Sequence, residues 1–317
     1  MSVRQRIDDP IRLRAVEASG LMGSPPEEAF DRLTRIAAKL LGCPIALVSI
    51  VGDSRQFFKS GIGLTDKLAE ERGTKLSLAF CQHVVTDGEF VVDDAHHDDR
   101  TKHDVAIKGY GIESYLGIPL LSPDDHCLGS FCAIDTKPRH WTDEQIAIMR
   151  DLAGAASSEI KLRAGAKEAA LRGRMLDALF TAADVGILIC DRAGKITRVN
   201  PRLTEIFGRL EQELFGVDAT LLMHPDDAML EEALRQELFS GKRERTLRTT
   251  RFVTKSGEVV TVKRTTSLLR GERGDTEGTV SFVEDLSETL RLQKEVQRRE
   301  ELHRTIVHNI PNAAVFL

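Results

Sequence analysis

Residues 142–180 constrain the fold of this chain more than any other stretch. They contain no proline, and they begin at Thr142, which can cap a helix together with Gln145 three residues later. At a rise of about 1.5 Å per residue, a helix of this length extends roughly 60 Å, about twice the width of a small domain. The sequence therefore predicts a long helix that leaves one folded body and enters another.

An apolar seam follows this predicted helix at alternating four- and three-residue steps. Its positions are Ile148, Leu152, Ala155, Glu159, Leu162, Ala166, Ala169, Gly173, Leu176 and Phe180. Because several of these side chains are small, a second copy of the helix could approach closely, which predicts a parallel coiled coil in a homodimer. The alternative is two separate helices that meet near Gly165 or Gly173, since each glycine costs a helix about 1 kcal/mol.

The length and charge of the chain limit the number of domains and the kinds of partner that it can have. A chain of 317 residues is long enough for about two domains, each with its own core. Its 44 basic and 49 acidic residues give a net charge of -5, so no nucleic-acid partner is expected. The longest apolar run, residues 45–51, is too short to cross a bilayer, and the charged N-terminus lacks the apolar core of a signal peptide. We therefore predict a cytoplasmic protein without direct membrane insertion.

The chemistry-bearing residues form no recognisable metal or catalytic pattern. Five cysteines are scattered without a CxxC pair, so they are expected to be reduced and mostly buried. Residues 93–104 are rich in aspartate and histidine, but no spacing among them demands one coordination geometry. Neither a phosphate-binding loop nor a nucleophile elbow occurs. The sequence thus predicts no catalytic residue and no metal site.

Residues 1–165 predict an antiparallel sheet flanked by helices. Two helices open the chain, a hairpin follows, and two more strands precede the long helix. Between them, Ser77 can cap a short helix that carries Phe80 and Cys81. The predicted opening helices cover 12–18 and 27–41, and the predicted strands cover 45–51, 56–60, 90–92, 114–121 and 127–134.

Three strings in this domain resemble the GAF domains found at the front of bacterial sensor histidine kinases and diguanylate cyclases. They are PPEEAFDRLTRIAAKLLGCPIALVSIVGDSRQFFKSGIGL, SLAFCQHVVTDGEFVVDDA and GIESYLGIPLLSPDDHCLGSFCAIDTKPRHWTDEQ. The resemblance implies a ligand-sized pocket on one face of the sheet, closed by the Ser77 helix. The candidate pocket residues are Cys81, His83, Tyr115 and Phe131.

The sequence leaves the ligand of this pocket open. A bilin is not expected, because residues 93–110 lack the cysteine that would attach it, and the cyclic-nucleotide signature of phosphodiesterase GAF domains is not evident. Cys81 and His83 lie two residues apart on a predicted helix, so they cannot both face one ligand. Either could act as a haem or thiol-sensing residue, but a small buried thiol is the simpler interpretation of Cys81.

Residues 177–287 predict a second domain, in which two strands, short helices and three more strands follow one another. The strings DRAGKITRVN, FGRLEQELFG, MHPDD and EDLSE resemble the pattern of PAS domains. Asn200 is a candidate pocket residue, although bonding the backbone before Pro201 is its simpler role. The photoactive Asn-Cys motif of flavin-binding PAS domains is absent. The phenylalanines expected to form an apolar interior are Phe207, Phe215, Phe239, Phe252 and Phe282.

Two groups of residues are predicted to transmit a signal. Asp285 and Ser287 can cap the helix that leaves the second domain, while Leu286 packs back on the sheet, so a shift of the sheet would move that helix. The other group is the central part of the seam. Its members are Leu162, Ala166, Ala169 and Leu176.

The end of the chain predicts an exit helix over residues 288–310, stopped by Pro311. Residues 311–317 resemble the opening strand of a further PAS domain, which suggests a fragment of a longer protein. His308 is a weak candidate for a kinase phosphoacceptor, because Asn309 and Ile310 replace the acidic residue and arginine expected after it.

Together these features predict an α+β sensory module of a bacterial signal-transduction protein, with no enzyme activity of its own. Neither a GGDEF cyclase signature nor an ATP-binding kinase half occurs. A homodimer would bind an unknown small molecule, or respond to redox state, and bias an output domain that is a histidine kinase or a diguanylate cyclase. The alternatives are a ligand-free dimerisation and spacing scaffold, and a haem or flavin sensor of gas or light. The sequence names no cofactor.

Overall fold

The computed structural model describes residues 3–76 and 79–309. The chain divides into two compact units, Met1–Leu171 and Arg172–Leu317. The predicted cap at Ser77 and the predicted strand over 311–317 lie outside the described residues.

The first unit opens with three helices, where the sequence predicted two, and it continues into the predicted antiparallel sheet. Asp9 caps the second helix, because its carboxylate accepts a hydrogen bond from the Ile11 amide at 2.9 Å. The elements before the long helix are α1 Val3–Ile7, α2 Pro10–Ser19, α3 Glu28–Leu41, β1 Ile45–Val51, β2 Arg55–Ile62, α4 Asp66–Glu71, β3 Gly73–Lys75, α5 Cys81–Asp87, β4 Phe90–Val92, α6 Val105–Tyr110, β5 Ser114–Leu121 and β6 Cys127–Asp135. Among the described residues the strands follow the order β3-β2-β1-β6-β5-β4.

The predicted long helix is confirmed. It is α7, Asp143–Ala182, and it continues through Gly165 and Gly173, so the alternative of two separate helices is wrong. Thr142 and Gln145 form the predicted cap at its start, since each side chain bonds the backbone amide of the other residue at 3.2 Å.

The face of α7 that packs in the first unit is not the predicted seam. Seam positions Ile148 and Leu152 are only partly buried at the edge of the core. Further along, Leu162 is 71% exposed and Leu176 is 61% exposed within the single chain. The buried positions of α7 are Met149, Ala153, Ala156, Ser157 and Ile160. The seam and the core-facing stripe therefore occupy different sides of one helix.

Each face of the first sheet carries its own core. Phe30, Phe131 and Trp141 lie in the core that α2, α3 and α7 cover. Phe80 and Tyr115 lie in the core on the other face, which α5 and α6 cover. The central strands β1 and β6 are consequently buried on both faces, which explains their nearly continuous apolar sequences.

The second unit is also an antiparallel sheet with helices on it, so the predicted α+β class is confirmed for both units. Its elements are β7 Gly186–Asp191, β8 Ile196–Val199, α8 Pro201–Phe207, α9 Glu211–Leu214, a 3₁₀ turn Ala219–Leu222, α10 Pro225–Phe239, β9 Arg245–Val253, β10 Val259–Arg270, β11 Thr276–Asp285 and α11 Ser287–Asn309. The strands follow the order β8-β7-β11-β10-β9 within the described part of the unit. Along the chain, helices α8 to α10 come after β8 and before β9. The first strand of the unit, β7, pairs with the last strand, β11.

The exit helix α11 begins at Ser287, one residue before the predicted start. Leu292, Val296 and Leu302 of this helix are exposed within the single chain. Over residues 3–76 and 79–309, no helix combines the length and hydropathy that crossing a bilayer requires.

Candidate functional site

A cavity of about 480 Å³ lies against one face of the first sheet. Aromatic and apolar side chains such as Phe58, Phe80 and Ile134 form its wall, and the exposed residues Lys67 and Glu71 of α4 line its outer part. Pockets for small molecules generally enclose about 300 to 1,000 Å³. The first unit therefore has room for a small ligand.

Cys81 and Tyr115 lie side by side in this cavity. The Tyr115 hydroxyl donates to Cys81 Sγ at 3.4 Å and lies 3.2 Å from Ser130 Oγ. Hydrogen bonds, first that from Cys132, lower the pKa of Cys81 to about 6, because they stabilise its thiolate despite complete burial. The same contact raises the pKa of Cys132 well above its ordinary value, because the Cys132 thiol keeps its proton when it bonds the Cys81 thiolate.

Alkylation at different pH values tests this arrangement. We expect iodoacetamide to modify Cys81 with a midpoint near pH 6, because the thiolate is the reacting form. Cys43 should need a higher pH than an ordinary thiol, since burial raises its pKa. Replacing Cys132 with alanine should move the midpoint of Cys81 upward. Mass spectrometry of each cysteine peptide measures these midpoints, and a Cys81 midpoint at or above that of Cys43 contradicts the assignment.

His83 and Phe131 do not line this cavity, contrary to the sequence-based expectation. The His83 ring stacks on Phe90, with centroids 4.7 Å apart and an angle of 11° between the planes. Phe131 is buried in the core on the opposite face of the sheet. Side chains alternate along β6, so Phe131 and Cys132 must point to opposite faces.

The acidic and histidine-rich connection over 93–104 forms local ion pairs. His97 Nδ1 lies 2.8 Å from Asp94 Oδ2, and Arg100 Nη2 lies 2.5 Å from Asp98 Oδ2. Across the residues that the structure describes, no group of histidine, cysteine, aspartate and glutamate is arranged to hold a metal ion.

Glu27, just before α3, joins the first sheet to α7. Its Oε1 lies 2.5 Å from Nζ of Lys59 on β2 and also contacts Nη1 of Arg163 on α7. Lys59 is completely buried, and its ammonium donates to Ser24 Oγ at 2.7 Å and to the Pro25 carbonyl at 2.6 Å. A change in the sheet can therefore reach α7 through one carboxylate. This cluster was not predicted from the sequence, where its signal is a lysine that directly follows Phe57 and Phe58 in an apolar strand.

A second cavity, of about 400 Å³, lies between the second sheet and α10. Leu188 and Cys190 of β7 contribute its apolar wall, whereas Arg264 and hydroxyl side chains from β9, β10 and β11 contribute a polar wall. The predicted pocket residues do not line it. These are Asn200, Phe207, Phe239, Phe252 and Phe282.

The predicted phenylalanine interior is only partly correct. Phe207 and Phe252 do pack together in the core, with ring centroids 4.9 Å apart. Phe282 is 44% exposed and Phe215 is 66% exposed, while Phe239 is half-buried at the end of α10. On β11 the inward positions are Thr279, Ser281 and Val283, so Phe282 must face outward.

Asn200 is completely buried, and both ends of its amide are bonded to the backbone. Its Oδ1 accepts from the amides of Ile187 at 2.7 Å and Leu203 at 3.0 Å. Its Nδ2 donates to the carbonyls of Val185 at 2.9 Å and Phe180 at 3.2 Å. One side chain thus ties the end of α7 to β7 and caps α8.

The residues predicted to start the exit helix hold it to the sheet. Asp285 Oδ1 accepts from the Ser287 amide at 2.8 Å, and the Leu286 amide donates to the Thr261 carbonyl of β10 at 2.9 Å. The other predicted transmission residues are exposed, as is every residue of α7 from 165 to 179 within the single chain. They are Leu162, Ala166, Ala169 and Leu176.

Comparison with known proteins assigns most of the chain to two domain types. A family model described as GAF domain matches residues 25–160, and one described as PAS fold matches residues 174–286. A cyclic di-GMP phosphodiesterase of Pseudomonas aeruginosa is 33% identical over 134 residues, which cover 42% of this chain. The match spans only 22% of that relative's length.

Solved structures similar to this chain include several single domains. The PAS domain of a Colwellia psychrerythraea protein has 18% identity and a TM-score of 0.33, covering 36% of this chain and 97% of that one. A domain of a sensory box sensor histidine kinase/response regulator from Geobacter sulfurreducens has 24% identity and a TM-score of 0.32, covering 36% and 94%. The PAS domain of an HTR-like protein from Haloarcula marismortui has 22% identity and a TM-score of 0.33, covering 38% and 95%.

Proposed function

The chain carries a GAF domain, residues 25–160, followed by a PAS domain, residues 174–286, and we propose that they form the sensory module of a bacterial signal-transduction protein. The module acts as a homodimer in the cytoplasm. Small molecules that enter its cavities change the packing of the dimer helices, and this change controls an output domain.

The observation that carries this proposal is the exposed seam of α7. Leu162, Ala169 and Leu176 recur every seven residues on one side of the helix, and all three are exposed within the single chain. Large apolar side chains such as Leu162 and Leu176, which are 71% and 61% exposed, favour burial against a second copy. A parallel pair of α7 helices buries this seam in both copies.

Each domain holds α7 by its own contact, which supports transmission through this helix. The Glu27 carboxylate contacts Arg163 in the GAF domain, and the Asn200 amide holds the Phe180 carbonyl in the PAS domain. A ligand can bind one packing arrangement of the dimer ten times more tightly than the other. Such a ligand shifts the free-energy difference between the two arrangements by about 1.4 kcal/mol. No catalytic residue is needed for this step.

The output domain is a histidine kinase or an enzyme of cyclic di-GMP metabolism. The 33% identity to a cyclic di-GMP phosphodiesterase over 134 residues supports the second class, and it adds phosphodiesterases to the diguanylate cyclases that the sequence suggested.

The cavities of about 480 and 400 Å³ favour ligand sensing over a ligand-free scaffold, because a spacer has no need of space inside its domains. The haem or flavin alternative predicts a visible absorbance band in the purified protein, whereas binding of a colourless metabolite predicts none.

Light scattering during gel filtration tests the dimer. We expect the chain to elute as a dimer and the Leu162→Glu/Leu176→Glu double variant to elute as a monomer with unchanged helical content, because the two charges fall on the seam. Leu171→Glu is the matched control: Leu171 is 60% exposed on the same helix but lies off the seam, so its variant should remain dimeric. A monomeric wild-type chain at high concentration rejects the proposal.

A further inference from the structure

The inner face of the PAS sheet carries an unusual number of hydroxyl groups. Thr246, Thr266 and Ser281 stand side by side across β9, β10 and β11, and the hydroxyls of Thr266 and Ser281 lie 2.8 Å apart. All three line the cavity of about 400 Å³, as does Thr279. A buried sheet face is normally apolar, and buried hydroxyls are retained where they have partners to bond. This face is therefore suited to a polar occupant.

Two arginines lie next to this row on the same face. Arg248 of β9 and Arg264 of β10 are direct cross-strand partners, an arrangement that like charges destabilise. Glu231 of α10 contacts Arg264 Nη2 and lies 3.7 Å from Arg248 Nη1. One carboxylate is thus shared by two guanidinium groups, so Glu231 alone does not neutralise both of them.

The other charged side chains around the cavity bond elsewhere. Glu232 pairs with Arg235, and the Asp218 carboxylate accepts from both the amide and the hydroxyl of Thr220. Asp227, which faces the same strands, pairs with Arg251. The described lining of the cavity therefore carries both signs of charge, with Arg264 and Arg235 as donors and oxygens of Asp218 and Glu232 as acceptors.

Several buried donors on or near Arg264 and Arg248 have no hydrogen-bond partner among the described residues. Arg264 is only 2% exposed, and its Nε is one of these donors. Arg248 Nη1 and the Thr250 hydroxyl, on the neighbouring strand, are two others. A buried polar group without a partner destabilises a native fold, so a cluster of them calls for an explanation.

We propose that the PAS cavity binds a small carboxylate that also carries a hydroxyl or amino group, with Arg264 holding the carboxylate and the Thr266–Ser281 row holding the polar remainder. The acceptors Asp218 and Glu232 suit the donor groups of such a molecule. Arginine and carboxylate form strong charge-assisted hydrogen bonds, and these are strengthened by burial. This inference rests on the proposed sensory function and assigns a ligand class to its second domain.

Isothermal titration calorimetry on the full chain tests this site. The probes are the hydroxy acids lactate, malate and citrate and the amino acids aspartate and glutamate, with glycerol as the uncharged hydroxylated control. We expect at least one acid to bind with a Kd below about 1 mM, and glycerol not to bind. Binding of the hydroxy acids alone assigns a hydroxyl group to the ligand, and binding of the amino acids alone assigns an amino group.

Arg264→Gln should weaken that binding tenfold or more, a loss of about 1.4 kcal/mol. Lys263→Gln is the matched control, because Lys263 is the next residue on β10, faces outward and pairs with Glu284 at 3.6 Å; it should bind like the wild type. If Arg264→Gln does not fold, Ser281→Ala removes one hydroxyl of the cavity wall and should weaken binding measurably.

The inference is overturned if no acid of the panel binds, or if every variant binds as the wild type does. Either result would make Arg264 only a structural partner of Glu231. The oligomeric state of the same samples keeps the two proposals apart. A dimer that binds no acid rejects the carboxylate site alone, whereas a monomer that binds an acid through Arg264 rejects the dimeric signalling module and leaves the site in place.

Discussion

Asn200→Ala is expected to lower the free energy of unfolding of the PAS domain by about 4 kcal/mol. The buried Asn200 amide makes four hydrogen bonds to the backbone, including those to Ile187 and Phe180. Alanine leaves these buried groups without that partner and removes the cap of α8, at about 1 kcal/mol for each contact. This loss is a large part of the total stability of a domain of this size.

Two optical signals allow this effect to be localised. The chain has one tryptophan, Trp141, which is buried in the GAF domain, so its fluorescence follows the unfolding of that domain. Circular dichroism follows both domains. In urea titrations of Asn200→Ala, the circular dichroism transition should gain an early phase, while the Trp141 midpoint stays near that of the wild type.

Asp218→Ala is the matched control in the PAS domain. Asp218 caps a single 3₁₀ turn through the Thr220 amide at 2.9 Å, so its loss should cost only about 1 kcal/mol. If Asn200→Ala destabilises no more than Asp218→Ala, the Asn200 amide does not hold the end of α7 as described.

Lys59→Met should destabilise the GAF domain by about 3 kcal/mol. Lys59 is fully buried, and methionine keeps most of its volume but removes the ammonium group. Ser24 and the Pro25 carbonyl then lose a hydrogen-bond partner, and Glu27 keeps only Arg163. The loss is costly because the buried Ser24 hydroxyl no longer bonds a charged donor, whereas Glu27 is 32% exposed and retains Arg163.

The measurement is the Trp141 fluorescence transition in urea, which should shift to lower denaturant. Lys161→Met provides the control on α7: its ammonium lies 3.1 Å from Asp125 in an exposed pair, so the change should cost less than about 1 kcal/mol. An equal shift in both variants would show that the Lys59 cluster adds no stability beyond an ordinary surface pair.

The sequence predicted α7 well because its determinants are local. The reciprocal cap of Thr142 and Gln145 and the long run without proline both act within one helix, and neither depends on tertiary contacts. The side of α7 that packs in the GAF domain was harder to predict, since Ala153, Ala156 and Ile160 form a second stripe beside the seam. Both stripes contain small and apolar residues, so hydrophobicity alone does not tell which side of α7 packs against the domain.

The pocket residues were predicted less well, because pocket lining depends on which face of a strand a residue occupies. Phe131 and Phe282 are apolar, but the neighbouring residues Cys132 and Ser281 face the cavity side. In the PAS strands both alternating sets contain polar residues, so hydrophobicity alone did not identify the inner face. The pairing of Thr266 with Ser281 becomes visible only once the register of β10 and β11 is known.

Because α7 is one unbroken helix, its residue count sets the direction in which each later side chain of the helix points. Each inserted residue turns the later side chains of α7 by about 100° around the helix axis, and seven residues nearly restore the original direction. Insertions and deletions between the Arg163 and Phe180 contacts should therefore be tolerated in steps of about seven. Sensory domains could be exchanged among such proteins by splicing within the helix, provided that the residue count is kept.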